Sequence, residues 1–262
     1  MKKLFKLLQC LALGAVIFSS PIIMEHAEDI YLEEIASPKA MPVKIGSRTV
    51  ASSFQIKWKG KRVTVTNNHV CSIVKEAAER DAQRSFISRV KAIKTLGLPK
   101  DMENSLITLL ESNYKQQKFS VVGKTLKIGE VNRKILYNSP NHDICFLEPV
   151  GDKYFNLASS VHRGERITII GHPRGVPQSI ADGRIVGEET YLFPWISEAG
   201  KVRYLRSTAL TYPGNSGSPV INRYGNVVGI LFAGLSVNTI NLNCIVPLDY
   251  IKTELLTYFN KK

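Results

Sequence analysis

From Met41 onward, apolar and polar residues alternate in short runs punctuated by Gly, Asn and Pro, the period-of-two signature of half-buried strands. A first group comprises "RTVASSFQI" (48–56), "KRVTVT" (61–66), "KFSVVG" (118–123), "KILY" (134–137) and "DICFLEPV" (143–150). A second comprises "ERITIIG" (165–171), "GRIVGEETYLF" (183–193), "KVRYLRSTA" (201–209), "PVIN" (219–222), "NVVGILFAG" (226–234) and "NCIVPL" (243–248). Strands so short and evenly broken predict an all-β protein of antiparallel barrels or sandwiches, and two small barrels fit the two groups.

Two stretches follow a helical period instead. Within 72–117, Ala77, Ala78, Ala82, Ile87, Val90 and Ile93 fall near one face. "GLP" (97–99) ends that helix, and a second opens at Asp101 and runs through Leu109, which predicts a helical hairpin inserted between strands. "PLDYIKTELLTYF" (247–259) predicts a short amphipathic helix at the C-terminal end.

The first 27 residues differ from both patterns. Lys2, Lys3 and Lys6 precede an apolar run from Leu7 to Met24, which reads as a cleaved signal peptide or a retained membrane anchor. Export to a periplasmic or secreted location, or attachment through 7–24, is the expectation. Cys10 lies early in the run, which argues against a lipoprotein attachment site. The rest of the chain holds no second such segment and is expected to be soluble.

At 262 residues, 44% hydrophobic and 22% charged, the chain belongs among globular proteins with room for a sizeable core. The net charge of +13 admits nucleic acid, an anionic surface or acidic substrates as partners. The basic residues are spread along the chain without aromatic interleaving or a binding motif, so solvated surface is the reading and no nucleic-acid partner is expected. No ligands are paired at a metal-binding spacing, so neither a metal nor an organic cofactor is expected.

Chemistry concentrates in three places. "TYPGNSGSPV" (211–220) sets Ser216 between glycines that reach backbone shapes closed to other residues. A serine hydroxyl needs a base to take its proton, and that base needs an orienting carboxylate. "TVTNNHVCS" puts His69 where a strand gives way to a loop or helical turn, and "NHDICFLEP" puts Asp143 at the mouth of an apolar strand. The order His, Asp, Ser separates the chain from α/β-hydrolases and subtilisin-like enzymes. Asp152 and Asp182 are the alternative carboxylates, while His142 and His172 read as structural or surface residues.

"TNNHV", "HDICFL" and "PGNSGSPV" resemble the three catalytic segments of the trypsin-like (chymotrypsin-fold) serine peptidases, and "GERITIIGHPRGVPQSIADGRIVG" (164–187) resembles their HtrA-like branch. The resemblance covers about 45–71 and 118–255 and leaves the hairpin outside it. It implies two antiparallel six-stranded β-barrels with a cleft between them: 28–150 carrying His69, Asp143 and insertion 72–117, and 151–262 carrying Ser216 and the closing helix. It further implies an acyl-enzyme mechanism on protein or peptide substrates, with the Gly214 and Ser216 amides as oxyanion donors. Leu210 is expected at the base of the primary pocket, with Phe232, Ala233 and Gly234 forming the substrate-pairing strand. An apolar floor disfavours a buried Lys or Arg and predicts a small or medium apolar residue before the cut. Digestive relatives carry Asp where this chain has Asn215, so the ion pair to a trimmed amino terminus cannot form and no trimming should be needed. HtrA-like enzymes usually carry a PDZ domain, and none is expected here; the oligomeric state is left open. The rival readings are a catalytically silent peptide-binding or chaperone-like module on the same fold, and a basic adaptor for membrane or nucleic acid. Cys71, Cys145 and Cys244 are expected as buried free thiols, with a disulfide as the second reading.

Overall fold

The computed structural model describes residues 31–45, 47–116, 120–173, 178–192, 201–237 and 240–261. The expected leader, 1–27, lies outside the described residues. The first barrel is built from β1 (Ala40–Ile45), β2 (Arg48–Trp58), β3 (Lys61–Thr66), β4 (Thr125–Ile128), β5 (Val131–Ser139) and β6 (Ile144–Leu147). Its order is β1-β2-β3-β6-β5-β4, closed by antiparallel pairing of β1 with β4. The second barrel comprises β7 (Arg166–Gly171), β8 (Ser179–Leu192), β9 (Lys201–Ser207), β10 (Pro219–Asn222), β11 (Val227–Val237) and β12 (Ile240–Pro247). It repeats the topology as β10-β11-β12-β9-β8-β7, closed through β7 and β10. Closure removes the free edges that strands this apolar would otherwise present.

The largest core lies across the seam between the barrels. Phe54, Val65 and Phe146 of the first meet Ile221 and Ile230 of the second, with Leu32 and Ala36 of an N-terminal helical turn packed against them. The linker strengthens this seam. Phe155 N–H donates to the Gln55 carbonyl and Val227 N–H to the Asn156 carbonyl, both at 2.8 Å, so one extended segment is stitched to both barrels.

The expected hairpin is present, with bounds that differ at both helices. α1 (Asn68–Thr95) begins before 72 and takes His69 into its first turn, and α2 (Lys100–Lys115) runs past Leu109. In α1 only Asn68, Val70 and Cys71 are buried, so most of the hairpin stands off the barrels. Ile87, expected on the packed face, is exposed, while Phe86 turns inward and stacks on Tyr114 of α2, ring centroids 5.1 Å apart. Spacing explains this: Ala78, Ala82, Phe86 and Val90 recur every four residues and share one face. α3 (Leu248–Asn260) packs Ile251, Leu255 and Tyr258 into the seam. No helix among the described residues is long and apolar enough to cross a membrane.

The cysteine expectation is corrected for two of the three thiols. Cys71 and Cys145 form a disulfide, while Cys244 is free and buried. α1 and β6 converge where His69 and Asp143 meet, and each cysteine lies two residues beyond one of them. The bridge closes a loop with a sequence separation of 74. Replacing both cysteines with alanine is expected to lower the unfolding free energy by about 4 kcal/mol. Urea midpoints for the double variant and for wild-type protein with and without reductant would measure it.

Candidate active site

The site starts from a helix terminus. The first N–H groups of α1 have no partner inside the helix, and the extended residue before it, Asn67, makes no side-chain cap. Asp143 supplies one from another element. Its Oδ1 accepts the His69 backbone N–H at 2.8 Å, and its Oδ2 accepts the His69 Nδ1–H, also at 2.8 Å. One carboxylate therefore caps the helix and fixes the ring, leaving Nε2 for other partners. Asp143 can do this because it sits in the left-handed region, φ 52° and ψ 43°, at the end of the turn Pro140–His142. Asn67 Nδ2 holds the Asp143 carbonyl at 3.1 Å.

Asp143 is 1% exposed and the His69 side chain 30% exposed. Burial alone would push the His69 pKa down. The facing carboxylate outweighs this through its charge and hydrogen bond, and the pKa lies above its ordinary value. Asp152 and Asp182 are engaged elsewhere, with Arg62 and with the Thr168 hydroxyl at 2.6 Å each.

Ser216 lies on the loop between β9 and β10, and the first barrel grips that loop from across the seam. Ser52 of β2 donates its N–H to the Ser216 carbonyl at 2.8 Å and its hydroxyl to the Gly214 carbonyl at 3.0 Å. The Ser52 hydroxyl also accepts the His172 N–H at 2.9 Å. Thr66, three residues before His69, donates to the Ser52 carbonyl at 2.8 Å. Gly217 rests on this pair: a Cβ there would stand 2.1 Å from the Ser52 carbonyl oxygen and 2.3 Å from Thr66 Oγ1. Gly214 and Gly217 have φ of 101° and 84°, which suits glycine.

The structure thus joins His69 and Asp143 directly and brings the Ser216 loop to the same seam. The Ser216 hydroxyl donates to the Phe232 carbonyl at 3.2 Å and forms no hydrogen bond with His69 among the described residues. Among the described residues, the Gly214 and Ser216 amides donate to no backbone carbonyl. Asn215 is buried, with its Oδ1 and the Ser218 hydroxyl packed against Gly171.

A cleft of about 180 Å³ opens beside Ser216, lined by Thr211, Pro213, Leu231, Ala233 and Gly234 among others. Of the four residues expected at the pocket, Ala233 and Gly234 line it. Phe232 sends its ring into the seam core and contributes its carbonyl to Ser216 instead. Leu210 is outside the lining and 64% exposed. Its neighbours explain why: Asn243 of β12 binds the Ala209 carbonyl through its amide and accepts the Thr211 hydroxyl at 2.5 Å, which turns the residue between them outward. Sequence reading missed Ser52 and Asn243, because only the folded barrels bring them here, and with Asn243 it missed the bond that gives Thr211 its place.

A family model for the trypsin-like peptidase domain matches residues 51–230. The chain belongs to the trypsin-like peptidase family. A serine protease HtrA-like protein of Staphylococcus aureus is 28% identical over 206 residues, covering 72% of this chain and 25% of that protein. The pro-apoptotic serine protease NMA111 of Vanderwaltozyma polyspora is 25% identical over 249 residues, covering 86% and 23%. The chain therefore spans about a quarter of the length of these curated relatives. In fold it is similar to the active form of the Rv3671c protease of M. tuberculosis, with a TM-score of 0.55, 15% identity and coverage of 90% and 86%. It is also similar to the MamO protease domain of Magnetospirillum magneticum, with a TM-score of 0.53, 15% identity and coverage of 84% and 96%.

Gly217→Ala is expected to destabilise the fold by roughly 2–5 kcal/mol, since it combines a left-handed backbone with a collision against main-chain atoms of the other barrel. A urea unfolding midpoint equal to that of wild type would contradict this account of the seam.

Proposed function

We propose that the chain is a serine endopeptidase. His69 takes the Ser216 proton as Oγ attacks a peptide carbonyl carbon, and Asp143 holds the imidazole and stabilises its charged form. The carbonyl oxygen gains the negative charge, and the Gly214 and Ser216 N–H groups receive it. His69 then returns the proton to the leaving amine. Water, deprotonated by the same imidazole, attacks the acyl-enzyme ester; the acyl carbon–Oγ bond breaks, His69 returns the proton to Ser216 Oγ, and the second product leaves. The His69 Nδ1–Asp143 Oδ2 bond of 2.8 Å carries this reading, because a neutral imidazole that donates its Nδ1–H to the carboxylate keeps Nε2 as its basic nitrogen.

The cleft supports a small or medium apolar residue before the cut. Pro213, Leu231 and Ala233 are apolar, and among the described residues no carboxylate stands in the lining to pair with Lys or Arg. The Cys71–Cys145 disulfide supports an oxidising, extracytoplasmic location. One observation favours a second reading, a peptide-binding module without turnover: the Ser216 hydroxyl rests on the Phe232 carbonyl.

A fluorophosphonate probe separates the two. Stoichiometric labelling of the purified chain, abolished in Ser216→Ala, is the expected result, and an intact protein that stays unlabelled would favour the binding module. A peptide-library profile is expected to be dominated by Ala, Val or similar residues before the scissile bond. A profile led by Arg or Lys would refute the pocket assignment.

A further inference from the structure

Outside the residues given catalytic roles, one buried carboxylate is built into a site of its own. Glu254 lies on α3 and is 5% exposed. It accepts hydrogen bonds from the Tyr137 hydroxyl, from the Ser139 hydroxyl at 2.6 Å and from His142 Nδ1. Burying a carboxylate is unfavourable by several kcal/mol unless donors surround it, so three converging donors mark a designed contact rather than incidental packing. The aromatic neighbours reinforce it. The His142 ring stacks on Tyr250, one turn earlier on α3, with centroids 4.0 Å apart. Arg203, ion-paired with Asp249 and Glu188, covers Tyr250 in turn.

The placement of the donors is what gives the contact meaning. Tyr137 and Ser139 end β5, His142 closes the Pro140–His142 turn, and the next residue is Asp143 in its left-handed conformation. Asn67 and the disulfide secure the chain at and beyond Asp143, at residues 143 and 145. Glu254 secures the approach, residues 137–142.

We propose that Glu254 is a positioning residue: from the C-terminal helix it fixes the turn that aims the Asp143 carboxylate at His69. The helix that closes the second barrel thereby sets the geometry of a dyad housed in the first. The proposal rests on the peptidase reading of that dyad, and the test keeps the two separate.

The full chain is assayed as Glu254→Ala and Glu254→Gln, each alone and with Asp143→Asn. In the wild-type background Glu254→Ala is expected to lower kcat about tenfold with KM within twofold. The acidic limb of kcat/KM should also move to lower pH. Asp143 raises the His69 pKa, so a misaimed carboxylate lets it fall, and the neutral base survives further into acid. Glu254→Gln keeps the shape and one acceptor oxygen, and should recover part of the loss. With Asp143→Asn present, Glu254→Ala should cost no further activity. An equal tenfold loss in that background, or an unmoved acidic limb, would overturn the proposal. Should Glu254→Ala fail to fold, the glutamine variant is read on the same criteria.

The low-field proton resonance of the His69 Nδ1–H is recorded on the same proteins. Its loss in the Glu254 variants supports the proposal even where the wild type neither labels nor turns over, a result that would sink only the peptidase reading. An unchanged resonance overturns the proposal whether or not turnover is seen.

Discussion

The Asp143 carboxylate serves two elements at once, and the arrangement of the first barrel follows from that. One oxygen satisfies an N–H that α1 leaves open at its start, and the other fixes the imidazole on the same turn. A helix terminus favours negative charge, so the carboxylate that orients the histidine also stabilises the helix bearing it. The left-handed backbone at Asp143 is tolerated because the surroundings over-determine it. Asn67, the disulfide and the Glu254 cluster hold the chain at, after and before that residue.

The second constraint is the seam. Ser52 and Thr66 belong to one barrel, yet they grip Gly214, Ser216 and Gly217 of the other. α3 reaches back across the same seam, with its apolar face in the shared core and Glu254 on the Asp143 turn. Neither barrel completes the site alone. The linker bonded to Gln55 and Val227 limits how far the two can slide, so the loop bearing Ser216 is positioned by contacts from both sides.

Much of this was legible in the sequence for a physical reason. Strands with one buried face write their period directly into the residue pattern, and the segments around His69, Asp143 and Ser216 carry their own turn chemistry. What was not legible depends on direction. Whether Leu210 points into a pocket is decided by Asn243 bonding to both of its neighbours, 30 or so residues away along the chain. Phe232 is on the expected strand, but the strand's pleat sends its ring into the core. Cys71 and Cys145 could be placed in one region, but their bond needed the angle between α1 and β6. Glu254 gave no signal, because an amphipathic helix with one acidic residue among its apolar positions reads as ordinary surface.

The disulfide also changes what a break in the backbone would mean. Nearly the whole projecting hairpin lies inside the covalent ring closed by Cys71 and Cys145, together with β4 and β5, while β6 lies on its rim and the other strands lie outside it. A protease cutting the exposed helices would open the ring without releasing a fragment, because sulfur would still join the two halves beside His69 and Asp143. The exposed hairpin can thus be nicked, or differ in length beyond Cys71, while the bond at its base still ties together the two segments that bear His69 and Asp143.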